Sequence, residues 1–82
     1  MYKVEINGVQ MKFIREFFDN YEDDKVKLIV NDDSNRIKIV YSAETGLTAK
    51  ELESYLKSEF KTKSKYGAAL YYTLNVNHFY YY

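Results

Sequence analysis

The chain has no cysteine, no proline and no tryptophan, and only three glycines in 82 residues. Without cysteine it forms no disulfide and offers no thiolate to catalysis, zinc or an iron–sulfur cluster, which is compatible with a reducing cytoplasm. The absence of proline, internal repeats and low-complexity linkers leaves no position at which to divide the chain. We therefore expect one domain over residues 1–82, a length that supports a single small core.

An excess of charge of one sign is also missing, because twelve basic residues balance twelve acidic ones. The long-range field that draws proteins to DNA, RNA or anionic lipid is therefore absent from the chain as a whole, which disfavours a dedicated nucleic-acid binder. No segment approaches the roughly 20 apolar residues of a membrane span. The N-terminus, MYKVEI, lacks the regions of a signal peptide, so the sequence predicts a soluble cytoplasmic protein with no membrane partner.

Motifs that carry catalysis are lacking as well. Catalysis needs a nucleophile, an acid or base, and charge stabilisers in a cleft. The single histidine, His78, lies in a tyrosine-rich segment with no Ser, Asp or Glu close by in sequence. No glycine-rich phosphate loop, HExxH motif or nucleophile elbow occurs. These absences argue against an enzyme, and no pattern indicates a cofactor or a metal site.

The sequence does contain signals for short strands and a capped helix. Apolar and polar residues alternate over residues 2–6, and two more β-branched runs at 25–30 and 36–42 are joined by the turn-forming NDDSN. A last alternating strand is expected in the segment AALYYTLNVNHFYYY. In GLTAKELESYLKSEF, a capping box of Thr48 and Glu51 predicts a helix with one apolar stripe, and Gly67 is its expected C-terminal cap.

The stretch EINGVQMKF has two interpretations that lead to different folds. Asn7-Gly8 is a strong signal for a two-residue β-hairpin, which would give the order ββαββαβ. Asn7 and Gln10 also stand in capping-box spacing, and apolar residues then recur with helical period. We favour a helix over residues 8–23, which gives the order β-α-β-β-α-β and a ferredoxin-like, two-layer α+β sandwich.

Two segments offer candidate protein-binding residues. The apolar arc of the first helix is wider than one core-facing stripe requires, so Met11 and Phe18 at its edge either pack under other elements or form a binding face. The final segment is also unusual, because residues 69–82 as one strand would extend about 45 Å at ~3.3 Å per residue, far beyond its neighbours.

That excess length has three interpretations: a hairpin around residues 75–77, pairing with a second copy, or presentation of tyrosines to another protein. Tyrosine is enriched at interfaces, because it brings apolar area with a polar tip. The sequence thus predicts a protein partner and a homodimer. The candidate binding residues of this segment are Tyr71, His78, Phe79, Tyr80, Tyr81 and Tyr82.

Acidic residues gather in two short groups, which are Asp19, Glu22, Asp23 and Asp24, and Asp32 and Asp33. The simpler interpretation is solvated carboxylates at a helix end and a turn. The functional interpretation is an acidic surface that mimics a nucleic-acid backbone or binds a cation, although the spacing does not match an EF-hand loop.

These observations predict a small non-enzymatic module that binds a protein and acts by steric blockade or scaffolding. In its abundance of Tyr, Asn and Lys, its brevity and its lack of an enzymatic motif, the chain resembles small accessory proteins of AT-rich bacteria and their phages. These include inhibitors of host defence nucleases, so a nucleic-acid enzyme is the implied target. The alternatives are a sheet that binds single-stranded nucleic acid through Arg36, Lys38 and Tyr71, and an oligomer that sequesters a small molecule.

Overall fold

The computed structural model describes residues 2–64, 67 and 70–78. A four-stranded antiparallel sheet with the strand order β2-β3-β1-β4 carries two helices, so the protein belongs to the α+β class. In chain order, the elements are β1 (Tyr2–Gly8), α1 (Met11–Phe18), β2 (Val26–Asp32), β3 (Lys38–Thr45), α2 (Ala49–Lys63) and β4 (Tyr72–His78).

The core lies on one face of the sheet. Along β1, Val4 and Ile6 are fully buried, and the polar residues between them point to the opposite face, as strand geometry requires. Both helices pack against this same face, because their buried side chains join those of all four strands in one cluster. The helical members of the cluster are Met11, Ile14, Phe18, Leu52, Leu56 and Phe60. The opposite face of the sheet carries no helix among the described residues.

Asn7-Gly8 is neither a hairpin turn nor a helix cap, so both interpretations of this dipeptide were wrong. Asn7 is paired with Lys38 on one side and with Thr73 on the other, and β1 continues through Gly8. Pairing with two neighbouring strands outweighs the local preference of the dipeptide for a turn or a cap. The helix that follows has Gln10 as its N-cap, and this cap makes no side-chain hydrogen bond.

The first helix is also shorter at its C-terminal end than the predicted span of 8–23. Asp19 is the C-cap with a ψ of 128°, and Asn20 has a φ of 62°, a left-handed conformation that asparagine tolerates better than most residues. From there the chain runs back along β2, because the N–H of Leu28 donates to the carbonyl of Tyr21 at 2.8 Å. The turn at Asn20 therefore ends the helix despite the apolar period beyond it.

The second helix begins as predicted. The Thr48 hydroxyl accepts from the N–H of Glu51 at 3.2 Å, and the Glu51 carboxylate accepts from the N–H of Thr48 at 2.9 Å. The prediction of Gly67 as the C-cap was wrong. Ser64 occupies that position, and its extended ψ of 134° already takes the chain out of the helix.

The predicted hairpin of the second and third strands is confirmed, with longer strands than expected. Val26 pairs with Thr45 at the open end, and the register continues to Val30 opposite Tyr41. The register then shifts between Val30 and Asp32. Because an irregularity of this kind interrupts the regular strand edge, it limits pairing of β2 with another chain.

We predict that Thr48→Ala lowers the free energy of unfolding by about 1 kcal/mol, because α2 loses its N-terminal capping bonds. Thr62→Ala is the matched control, since its hydroxyl donates to the Ser58 carbonyl inside the last turn and caps nothing. The control should cost less than about 0.5 kcal/mol. Urea unfolding followed by circular dichroism measures both values, and equal losses would contradict a specific contribution from the cap.

Candidate functional site

The end of β1 leaves a gap between its two neighbouring strands. Gly8 is the last residue of β1, and its N–H donates to the carbonyl of Ile37 at 2.9 Å. On the other side Gly8 pairs with Tyr72. Beyond Gly8 the chain turns towards α1, whereas Ile37 and Tyr71 stand immediately before the first residues of β3 and β4. Apolar side chains therefore border the position at which the central strand stops.

Three apolar side chains at this end of the sheet are exposed to solvent. We call them the sheet-end patch, and they are Val9, Ile37 and Tyr71. Their exposed fractions are 81%, 56% and 88%. Elsewhere among the described residues, large apolar side chains are exposed only at Ile29 and Val30 in β2. Single exposed apolar residues are ordinary on a protein surface, but a group of them usually marks a contact site.

Two small cavities adjoin the patch, and both are lined by Val9 and Tyr71. The larger one, which we call the notch, has a volume of about 230 Å³ and also contacts Ile37. Its full lining is Asn7, Gly8, Val9, Ile37, Tyr71, Tyr72 and Thr73. The second cavity, of about 200 Å³, extends inwards to Ile14. Each is smaller than the roughly 300 to 1,000 Å³ of sites that hold drug-sized molecules, so each suits a protruding side chain better.

Gly8 has a packing role at this site. A Cβ atom at this position would stand 2.9 Å from Cδ1 of Ile14 and 3.4 Å from the carbonyl oxygen of Tyr71. Since Ile14 is buried in the core, it has little freedom to move away. The absence of a side chain at Gly8 thus lets α1 and the residue before β4 close around the end of β1.

Met11 and Phe18, which the sequence offered as a binding face, lie in the core. Met11 keeps only 7% of its surface exposed and Phe18 keeps none, so neither presents a surface to a partner. These two edge residues of the apolar arc are covered within the molecule. Aromatic packing does much of this, since the ring of Phe18 lies 5.2 Å from that of Phe60 and 4.9 Å from that of Phe17.

The binding residues expected in the final segment are separated. Tyr71 belongs to the sheet-end patch, whereas His78 lies at the far end of β4, with its ring centroid 5.0 Å from that of Tyr2. Phe79, Tyr80, Tyr81 and Tyr82 lie outside the described residues. The expected excess length is not found within the described part of the segment, because β4 pairs along its whole length with a β1 that is longer than predicted.

Arg15 forms an ion pair with one carboxylate from each of the two acidic groups. Arg15 lies 3.0 Å from the carboxylate of Asp19 and 3.3 Å from that of Asp33, so it joins the end of α1 to the turn after β2. Asp19 also accepts a 2.6 Å hydrogen bond from the hydroxyl of Tyr41. Burial and this bond raise the pKa of Tyr41. Asp19 is therefore a structural link, and its charge is largely balanced.

A second network is centred on Asp23. One carboxylate oxygen accepts from the hydroxyls of Tyr21 at 2.7 Å and Tyr55 at 2.5 Å, and the other from the N–H groups of Lys25 and Val26, both at 2.8 Å. Partial burial opposes ionisation of Asp23, but the four hydrogen bonds outweigh it and lower its pKa to about 2. This carboxylate fastens the loop before β2 to α2.

The remaining acidic residues do not form a common site with these. Glu22 and Asp24 are exposed, and Asp32 accepts from the N–H and hydroxyl of Ser34 at 3.0 and 2.7 Å. Within the described part of the chain, no group of three or more acidic or histidine side chains is arranged to hold a metal ion. The predicted acidic surface is thus divided into two internal networks and a few solvated charges.

Two other surfaces bear on the alternative functions. The open face of the sheet carries lysines and amides, and none of its described strand residues is aromatic; Tyr71 precedes β4 instead of pointing from it. A broad groove of about 760 Å³ runs along α2, lined by Lys25, Leu47, Thr48, Lys50, Glu51, Ser54, Tyr55 and Ser58. Several polar groups of this groove are already engaged, in the capping box and in the bond from Tyr55 to Asp23.

Neither of the two surface residues that complete the patch was identified from the sequence. Val9 falls within the predicted helix 8–23, at one end of its apolar arc, and Ile37 falls within the predicted strand 36–42. Val9 is exposed because β1 continues to Gly8 and α1 begins only at Met11, and Ile37 is exposed because β3 begins only at Lys38.

Comparison with known proteins gives no assignment: no protein-family model, no curated protein and no solved structure matches the chain. Among the described residues, no helix combines the length and the apolar character needed to cross a bilayer.

The Asp23 network predicts a specific pH dependence. Because the pKa of Asp23 falls from an ordinary 3.8 to about 2 on folding, its ionised form stabilises the protein above about pH 4, and this contribution disappears as the pH falls towards 2. We expect a contribution of about 1 kcal/mol after allowance for solvent screening. Asp23→Ala should lower the free energy of unfolding by about 2 kcal/mol at pH 7, with a smaller difference from wild type at pH 2.

The matched control is Asp24→Ala, which removes the neighbouring exposed carboxylate. Urea unfolding of the three proteins between pH 2 and 7 gives the comparison. A loss in Asp23→Ala that is constant across this range, or equal losses in both variants, would contradict the proposed role of the charge.

Proposed function

We propose that the chain is a non-enzymatic protein-binding module that docks on its partner through the sheet-end patch. The observation that carries this proposal is the convergence of three exposed apolar side chains, Val9, Ile37 and Tyr71, around a notch too small for a drug-sized ligand. An exposed tyrosine in such a patch is typical of interfaces, since it brings a large apolar area at a small cost in rotamer entropy.

The mode of action that follows is steric blockade or scaffolding. All three patch residues stand directly beside paired strands, so the sheet holds their backbone in place before a partner arrives. A surface ordered in advance loses little conformational entropy on binding. A module of 82 residues that covers a site on a larger protein acts by occupying it and needs no chemistry of its own.

We further propose that the fold is the ferredoxin-like arrangement expected from the sequence. The chain order of two β-α-β units and the placement of β1 and β3 at the centre of the sheet, flanked by β4 and β2, support this assignment. Both helices contribute to a core on one side of the sheet, as this arrangement requires.

A nucleic-acid enzyme remains the target that the compositional resemblance implies. Mimicry of phosphate by carboxylates receives less support than docking through the patch, because Asp19 and Asp23 are engaged in internal networks. The open face of the sheet supplies no aromatic platform for stacked bases in its described strands, so we rank binding of single-stranded nucleic acid lower.

The patch proposal is tested by site-specific photocrosslinking in a lysate of the organism that encodes the chain. Benzoylphenylalanine at position 71, in the patch, should yield a crosslinked protein that mass spectrometry identifies. The same group at position 29 is the matched control, because Ile29 is also an exposed apolar residue, with 42% exposure, but lies in β2 away from the patch.

The expected result is one identified partner at position 71, at least about tenfold above position 29, and loss of that crosslink when Val9→Ser and Ile37→Ser are added. Equal crosslinking at both positions would overturn the proposal. So would a crosslink at position 71 that survives both substitutions, because the partner would then not depend on the apolar patch.

A further inference from the structure

The notch has features that define the chemistry of its occupant. We propose that it receives one large apolar side chain, a phenylalanine or a leucine, from a segment of the partner protein that carries carboxylates on either side. This inference rests on the proposed function and adds to it the identity of the docking segment. Shape, polarity and charge support it separately.

Shape and polarity specify the central side chain. The notch, of about 230 Å³, is lined by Ile37 and Tyr71 at the end of β1. The second cavity, of about 200 Å³, shares Val9 and Tyr71 with the notch. Each volume suits a single large side chain, and the walls of the notch are mostly apolar. Anchor residues at interfaces are side chains of this kind, buried in a pocket and surrounded by weaker contacts.

Charge specifies the residues beside the anchor. Arg36 precedes Ile37, and Lys12 lies three residues beyond Val9 in the first turn of α1, with its ammonium 5.9 Å from the centre of the Phe13 ring. Neither cation forms an ion pair within the part of the chain that the structure describes. Lys38 is balanced, since its ammonium lies 3.5 Å from the carboxylate of Glu5. Along the sequence, the charges closest to the patch residues that form no ion pair in the described part of the chain are both positive, and they favour a partner segment with Asp or Glu.

The same charges disfavour a second copy of this chain at the notch. Two copies that met patch to patch would bring Lys12 and Arg36 of one against the same cations of the other. Like charges placed opposite each other at an interface are destabilising. A heterologous partner with acidic residues avoids this repulsion.

Three synthetic peptides test the proposal against the full-length protein labelled with ¹⁵N. They are an acidic peptide with a central phenylalanine, GDEFEDG, its alanine counterpart, GDEAEDG, and a basic counterpart, GKKFKKG, all with blocked ends. Amide chemical shifts give the location of binding and its affinity. We expect GDEFEDG to shift the amides of Gly8, Ile37 and Tyr71, and GDEAEDG to bind at least about tenfold more weakly.

GKKFKKG should bind at least about threefold more weakly than GDEFEDG at low salt, and this difference should shrink at high salt. Ile37→Ser should abolish the shifts and the matched variant Ile29→Ser should retain them. The double variant Lys12→Ala with Arg36→Ala should bind GDEFEDG and GKKFKKG equally.

Several results would overturn the proposal. These are equal affinity for the phenylalanine and alanine peptides, shifts centred on other residues, and a basic peptide that binds as tightly as the acidic one. Shifts at the notch that grow with protein concentration in the absence of peptide would assign it to a second copy. If the crosslink at position 71 identifies a partner but the peptides fail, only the occupant's chemistry is wrong; if both experiments fail, the proposed function falls as well.

Discussion

The pairing of β1 on both of its edges is the constraint on which the rest of the structure depends. Each of its residues from Tyr2 to Asn7 has a partner in β3 and another in β4. With two flanking strands fixed, Val4 and Ile6 must lie beneath the helices, where each buried side chain contributes about 1.5 to 3 kcal/mol. β1 lies between β3 and β4 and ends at Gly8, and the sheet-end patch is located at that end.

Carboxylates fasten the loops to this framework. Asp23 holds the segment before β2 against α2 through Tyr55, and Asp19 joins the end of α1 to Tyr41 in β3 and to Arg15. Each of these carboxylates accepts several hydrogen bonds, and those made to Asp23 hold its pKa well below the ordinary value. Acidic residues that resemble a recognition surface in the sequence are thus explained in large part by the need to anchor short connections in a small protein.

The class of the fold, the strand hairpin and the second helix could be predicted from the sequence, because each depends on local signals. Thr48 and Glu51 satisfy each other within one turn, so no distant contact is needed. Asn7-Gly8 could not be predicted, since its local preferences favour a turn or a cap, and only pairing with two distant strands extends β1 through it. For the candidate site, Tyr71 was identified from composition, whereas Val9 and Ile37 depend on where β1 ends.

The proposed docking function rests on the exposed apolar patch of Val9, Ile37 and Tyr71. The most direct test of this account is the affinity of the partner identified at position 71 for three purified proteins: wild type, the double variant Val9→Ser with Ile37→Ser, and Ile29→Ser. The account predicts a loss of at least about tenfold in the double variant and little change in Ile29→Ser. Equal affinity of all three proteins would contradict it.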